Sequence, residues 1–209
     1  YTGWGYLAPM LLGGYFGDSL VLGAGHRALL EFQDQWHGVA AFILHGAYSA
    51  VMQDADGARY ILAESRLDAY AKELAEATQV DTMKGVDLVG RRYTPLFDYF
   101  ADTPNAFQVL AGDFVSTEDG TGVVHMAPGF GEDDQIACNA AGIPTICPMD
   151  EHGRYTAEVP EWVGLHVFDA NPHVARVLKD RGVVVRHDSY NHSYPHCWRC
   201  DQPLVYRAI

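Results

Sequence analysis

Apolar and polar positions change period several times along this chain, and each change marks an element. In YSAVMQDADGARYILA, strand-like runs at Tyr48–Gln53 and Arg59–Ala63 flank the turn sequence Asp54-Ala55-Asp56-Gly57. This arrangement predicts a β-hairpin. The period then lengthens. In SRLDAYAKELAEATQ, Leu67, Tyr70, Ala71 and Leu74 share one helical face, with Ser65 placed to cap the helix. Short strands are predicted at Asp87–Tyr93, Phe107–Ala111 and Gly122–Met126, the last carrying His125. EDDQIACNAAG predicts a short helix ended by Gly142. NPHVARVLKDRG predicts another, with Asn171 as cap, Pro172 at the first helical position and Gly182 closing it. Val183–Arg186 follows as a strand. Residues 1–45 are apolar and glycine-rich, with weak periodicity and no repeat. Many short strands broken by a few helices imply an α+β fold, a curved or barrel-like β-sheet with peripheral helices.

At 209 residues and 48% apolar content, the chain can bury a sizeable core without staples. No apolar run reaches 18 residues, and no basic segment leads into an apolar one at the N-terminus. Neither a membrane span nor a signal peptide is therefore expected. The chain starts at Tyr1 and stops at Ile209 shortly after a cysteine pair, and reads as a piece of something longer. A formal charge of −13, from 27 acids and 14 bases, argues against a wide basic face gripping duplex nucleic acid. It leaves room for contact with one single-stranded end.

Two stretches carry chemistry. In GTGVVHMAPGFGEDD, residues 120–134, His125 and Asp134 stand nine residues apart across a glycine-proline elbow. One reading is a capped helix behind a tight loop, because acids in a first helical turn are favoured by the helix dipole. The other is a pocket: glycines bring the backbone close to a ligand, His125 faces it, and Asp134 offers a carboxylate to an ammonium group. In HSYPHCWRCDQPLVY, Cys197 and Cys200 form a C-x-x-C pair. Two thiolates at that spacing can fill two corners of a zinc tetrahedron, with His192 and His196 as candidates for the others. A redox pair or a surface turn with free thiols remains open. Cys138 and Cys147 lie in apolar surroundings and read as ordinary buried thiols.

Together these stretches resemble the editing insertion (connective polypeptide 1) of isoleucyl-tRNA synthetases, a class I family. EDGTGVVHMAPGFGEDD is similar to the family's G-T-G-x-V-H-x-A-P-x-F-G-x-x-D signature. HSYPHCWRCDQPLVYRA is similar to the segment that leads back toward the catalytic domain, and its Y-P-H-C-W-R-C spelling favours the isoleucine enzyme over its valine and leucine relatives. GARYILAESRL, MKGVDLVGRRYTPLFDY and GDFVSTEDGTG fit in order. The resemblance divides the chain into a divergent segment, 1–45, an editing domain, 46–190, and a zinc-knuckle and hinge segment, 191–209. The first segment departs from the family. Ahead of the hairpin the family carries a W-T-T-T-P-W-T-L-P segment that forms the other wall of the pocket. Here Gly17–Leu22 resembles its lead-in, and GAGHRALLEFQDQWHG follows without a threonine, Trp36 being the one echo.

The resemblance implies post-transfer editing: hydrolysis of mischarged valyl-tRNA(Ile) in the cytoplasm. The family is the standard illustration of a pocket unable to reject a substrate smaller by one methylene, worth only about 1–3 kcal/mol, so that a second site must hydrolyse the error. It implies His125 and Asp134 as catalytic residues. Asp134 would pair with the substrate's α-ammonium, and His125 would size the pocket or hold the water or terminal ribose. Gly120, Thr121, Gly122, Ala127 and Pro128 would shape the substrate site. Zinc at Cys197 and Cys200 would be structural, completed by a C-x-x-C from before the insertion. ATP and Mg belong to the parent's catalytic domain, since the H-I-G-H and K-M-S-K-S signatures are absent here. The implied partners are the tRNA(Ile) 3′ end and that catalytic domain. The missing threonines imply an alternative, an impaired editing domain serving only as a 3′-end binding or structural module.

Overall fold

A computed structural model describes residues 6–15, 26–32, 42–44, 48–118, 120–190 and 195–208; for the first three stretches and 188–190 it describes backbone alone. Among the described residues, nine strands and two α-helices follow in the order β1 (Tyr6–Tyr15), β2 (His26–Phe32), β3 (Phe42–Leu44), β4 (Tyr48–Gln53), β5 (Arg59–Ala63), β6 (Thr78–Lys84), β7 (Val109–Ala111), β8 (Val123–His125), α1 (Glu132–Ala140), α2 (Val167–Asp180) and β9 (Val184–Tyr190).

The β4–β5 hairpin forms as its sequence requires. Asp54 closes the turn, its Oδ1 accepting the Asp56 N–H at 3.0 Å and the Ala58 N–H at 2.9 Å. Gly57 supplies the left-handed residue at φ +85°. Antiparallel pairing runs from Ser49–Ala63 to Gln53–Arg59. Alternate residues serve two cores. Val51 and Ile61 belong to the large core, which also holds Phe107, Met126, Phe130, Trp162 and Leu178. Ala50, Met52 and Leu62 face a smaller one closed by Tyr70 and Leu74. The hairpin is thus a wall buried on both sides.

The sheet runs β6-β4-β5-β2-β8-β3-β7, with β1 on β2 and β9 on β1. It is mixed: β2 is parallel to both β5 and β8, and β3 is parallel to β7, while the other pairs are antiparallel. The path is open. β6 and β7 end it without pairing to each other among the described residues, so the α+β class holds and barrel closure does not.

Four local expectations change. The helix over 65–79 is a 3₁₀ turn, Glu64–Tyr70. Ser65 does not cap it; its hydroxyl donates to the Thr117 carbonyl at 3.2 Å. Thr78 and Gln79 join the edge strand β6, where pairing with β4 outweighs the helical pattern. The strand expected at Asp87–Tyr93 opens as a 3₁₀ turn, Gly85–Leu88, with Gly90 at φ +83°. The strand at Phe107–Ala111 starts only at Val109, because Phe107 is left-handed at φ +57°. Helix α2 begins at Val167, not at Pro172. His166 caps it, Nδ1 accepting the Phe168 N–H at 3.3 Å, while Asn171 is buried within the helix and Pro172 removes an internal bond. The weakly patterned segment 1–45 contributes three strands.

Candidate functional site

The site is built on β8 and the loop that follows it. β8 lies between β2 and β3, with Glu31 opposite Val124 in the parallel pair and Phe42 opposite His125 in the antiparallel one. Val123 and Val124 suit this inner position. The strand delivers a half-buried His125 to its end. The chain then turns tightly. Phe130 and Gly131 both donate their N–H to the Ala127 carbonyl, at 2.9 and 3.3 Å. Pro128 occupies the turn, and Gly129 is glycine because the Ile146 carbonyl stands where a Cβ would go.

Asp134, in the first turn of α1, folds back across this elbow. Its Oδ2 accepts the Ala127 N–H at 2.8 Å. Gly131 makes room, since a Cβ there would lie 2.9 Å from the Asp134 Cγ. Burial pushes the Asp134 carboxyl above its ordinary range; the Ala127 N–H opposes this and the charge of Asp133 adds to it. Glu132 and Asp133 are exposed. Asp134 Oδ2 is committed to the backbone, and Oδ1 has no partner among the described residues. A partly desolvated carboxylate with one spare oxygen is suited to a cationic ligand.

Gly120–Gly122 serves the base of the same strand. Thr121 is fully buried, and its hydroxyl accepts the Val123 N–H at 3.2 Å and donates to the Val123 carbonyl at 3.0 Å. Its own carbonyl accepts the Ala63 N–H at 2.7 Å. Gly122, at φ +76°, packs so closely on β5 that a Cβ would meet that of Ala63 at 2.6 Å. The structure therefore links Asp134 to Ala127 across the Pro128 turn that follows the His125 strand, and fastens Gly120–Gly122 to β5. Two contributors escaped sequence reasoning. Arg66 donates to the Gly120 carbonyl at 2.8 Å and also to that of Glu118, holding the approach to β8. Its place in an apparent helix gave no sign of this. Gly131 clears space for Asp134, a need visible only in three dimensions.

The C-x-x-C lies on a tight reversal. Cys197 N–H donates to the Gln202 carbonyl and Asp201 N–H to the Cys197 carbonyl, both at 2.8 Å, and His196 bridges to Pro203. The backbone N–H groups of Arg199 and Cys200 pull the Cys197 thiol below its ordinary range, toward the thiolate that binds metal. Two thiolates on such a turn fit half of a tetrahedral zinc set. No cluster of three or more His, Cys, Asp or Glu suited to a metal forms among the described residues, and His192 lies outside them. Beyond the knuckle, Tyr206–Ala208 returns to the Pro128–Gly131 loop. A cleft of about 180 Å³ separates them, bordered by Glu132 and Gln135.

No protein-family model matches the chain. Curated relatives do. Isoleucine–tRNA ligase of Mycobacterium tuberculosis is 51% identical over 168 residues, 76% of this chain and 16% of the relative. That of Rickettsia bellii is 53% identical over 152 residues, 72% of this chain and 14% of the relative. The chain thus spans about one-sixth of the length of the relatives it matches. Among solved structures, GlLeuRS-CP1 aligns with 91% of this chain and 100% of its own at TM-score 0.58 and 11% identity. The P. falciparum cytosolic leucyl-tRNA synthetase editing domain aligns with 90% and 99% at TM-score 0.54 and 9% identity. At such identities the likeness speaks for the fold alone. Sequence identity and fold agree, and the chain belongs to the isoleucine–tRNA ligase family, with the fold of a synthetase editing domain.

Proposed function

We propose that this chain edits: it hydrolyses the ester of valyl-tRNA(Ile), releasing valine and free tRNA. The observation that carries the reading is Asp134. Its carboxylate is half-buried beside the His125 strand, anchored through Oδ2, with Oδ1 left to pair with an α-ammonium. That contact fixes the pose of the aminoacyl group. His125 walls the side-chain pocket, or holds the attacking water or terminal ribose, and the turn at Ala127 and Pro128 shapes the rim. Water adds to the ester carbonyl, and the ribose oxygen leaves with a proton. The partners in this reading are the tRNA(Ile) 3′ end and the catalytic domain of the parent synthetase, in the cytoplasm. Residues 46–190 form the editing unit and 191–209 the hinge, where Cys197 and Cys200 give two thiolates to a structural zinc completed from elsewhere in the parent.

A specific feature favours a second reading. Residues 23–38 contain no threonine, so the chain is also read as an impaired module that binds the 3′ end without turnover. Deacylation of valyl-tRNA(Ile) tests the two. Release of valine above the uncatalysed rate, with isoleucyl-tRNA(Ile) spared, supports editing. Binding of the acceptor end at the uncatalysed rate leaves the module, and hydrolysis of both esters alike overturns the assigned specificity.

A further inference from the structure

The returning segment is fastened to the loop that carries Asp134. Val205 packs against the large core. Arg207 Nη1 donates to the Met149 carbonyl at 3.3 Å, and the Ala208 N–H donates to the Gly129 carbonyl at 2.7 Å. The backbone of Ile146 and Cys147 also lies against Gly129, where a Cβ would go. Two residues upstream, the Ala127 N–H holds Asp134 Oδ2. The elbow thus hangs between two backbone clamps. Beside this bond a cleft of about 180 Å³ is lined by Tyr206–Ala208 on one side and Pro128–Gly131 on the other.

We infer that Arg207 and the Ala208 amide are positioning groups, a strap through which the hinge sets the pose of the Asp134 carboxylate. In its catalytic consequence this rests on the hydrolytic reading above. Arg207 ties the strap to the 146–149 segment, Ala208 ties it to Gly129, and Gly129 fixes the turn whose first amide holds Asp134. Neither group needs to touch substrate.

Three variants of the 209-residue chain test the strap by amide and carboxyl NMR. Ala208→Pro removes the donor to Gly129, Arg207→Ala removes the donor to Met149, and Arg207→Lys keeps a cationic donor. In the first two, the Gly129, Gly131 and Asp134 signals should move, and the Asp134 carboxyl should titrate higher as the Ala127 N–H loosens. Arg207→Lys should stay close to native. Deacylation should lose roughly ten- to a hundredfold in kcat with little change in KM, the scale of a misplaced positioning group. Folded Ala208→Pro and Arg207→Ala chains with loop signals and Asp134 titration superimposable on native would overturn the strap. So would an Ala208 amide in the native chain that exchanges at the unprotected rate, a measurement needing no variant. Signals that move while the native chain releases no valine would uphold the strap and remove the hydrolytic reading instead.

Discussion

The Asp134 carboxylate closes a ring of the chain on the Ala127 amide, 2.8 Å away across the Pro128–Gly131 elbow. The pair joins the end of the His125 strand to the first turn of α1, so one bond orders both the loop and the carboxylate. Asp134→Ala should therefore abolish release of valine in a chain whose pocket is complete. Folding should survive, because leaving one partly buried N–H unpaired costs about 1–3 kcal/mol. Asp133→Ala is the control. That carboxylate is exposed and should leave deacylation within about twofold of native, since surface substitutions away from special features have small effects. Full activity in Asp134→Ala would take this residue out of the site.

The same carboxylate makes stability depend on pH. Burial raises its folded pKa above the ordinary 3.8. Between the two values the folded chain keeps a proton that the unfolded chain has released, so Asp134's contribution to stability declines as pH rises through that window. Asp134→Asn cannot ionise, yet its amide oxygen can still accept the Ala127 N–H. The variant should gain on the native chain as pH climbs from below 3.8 through the raised pKa, and the gain should then level off. Urea titrations of both proteins across the range measure the difference. A gain that grows toward acid would mean that the folded carboxylate is net stabilised.

The parts of the site made by nearby residues were legible in the sequence, and the parts made by distant ones were not. The Asp54–Gly57 turn and the strand, elbow and helix from Gly122 to Gly142 follow from local glycine, proline and capping chemistry. By contrast, β1, β2 and β3 lack a clear period because they are set by pairing with β9, β5, β8 and β7, far along the chain. The start of β6 departs from its pattern for the same reason: the helical spacing runs on through Thr78 and Gln79, but pairing with β4 recruits them. At α2, His166 supplies a cap five residues before the sequence signals of Asn171 and Pro172 begin. The Ala208–Gly129 link joins residues 79 positions apart and has no local signature.

Glycine contacts give a graded stability test. Gly90→Ala meets only the penalty of a left-handed residue at φ +83°, roughly 1 kcal/mol, because nothing lies within 4 Å of its Cβ. Gly122→Ala adds a clash with Ala63 at 2.6 Å. Gly129→Ala drives a methyl group into the Ile146 carbonyl, backbone that cannot rotate away. Each of these two should lose roughly 1–3 kcal/mol to overpacking, in addition to any φ strain. Denaturant midpoints should rank Gly90→Ala mildest. A Gly129→Ala chain as stable as native would mean that the elbow shifts freely, against the tight turn drawn at Ala127.

Metal content tests the knuckle. With two thiolates from Cys197 and Cys200, the purified chain should hold zinc weakly and release it to a mild chelator without unfolding. Supplying a second C-x-x-C from the parent should tighten binding and deprotonate the remaining thiols. Stoichiometric zinc resistant to chelation in this chain alone would show that its own residues, His192 or His196 among them, complete the tetrahedron.

The absence of threonine from residues 23–38 predicts a slow site. Those residues include β2, which pairs with β8 through Glu31 and Val124, one residue from His125, so β2 borders the pocket strand. Leucine and alanine side chains there cannot bond to an ester or a water, whereas threonine hydroxyls both donate and accept. Removing one oriented donor of this kind typically lowers the rate about 10²–10³-fold. The chain should therefore deacylate valyl-tRNA(Ile) slowly. Replacing residues 23–38 with W-T-T-T-P-W-T-L-P should raise the rate by one to a few orders of magnitude on that scale. The graft is shorter than the segment it replaces and brings two prolines where β2 supplies ladder donors to β1 and β5, so folding of the grafted chain is checked before its rate is read. The comparison is single-turnover release of valine by native and grafted chains at equal concentration, with circular dichroism confirming that both are folded. Equal rates would show that the native segment already supplies an equivalent wall, and the missing hydroxyls would then no longer argue for an impaired module.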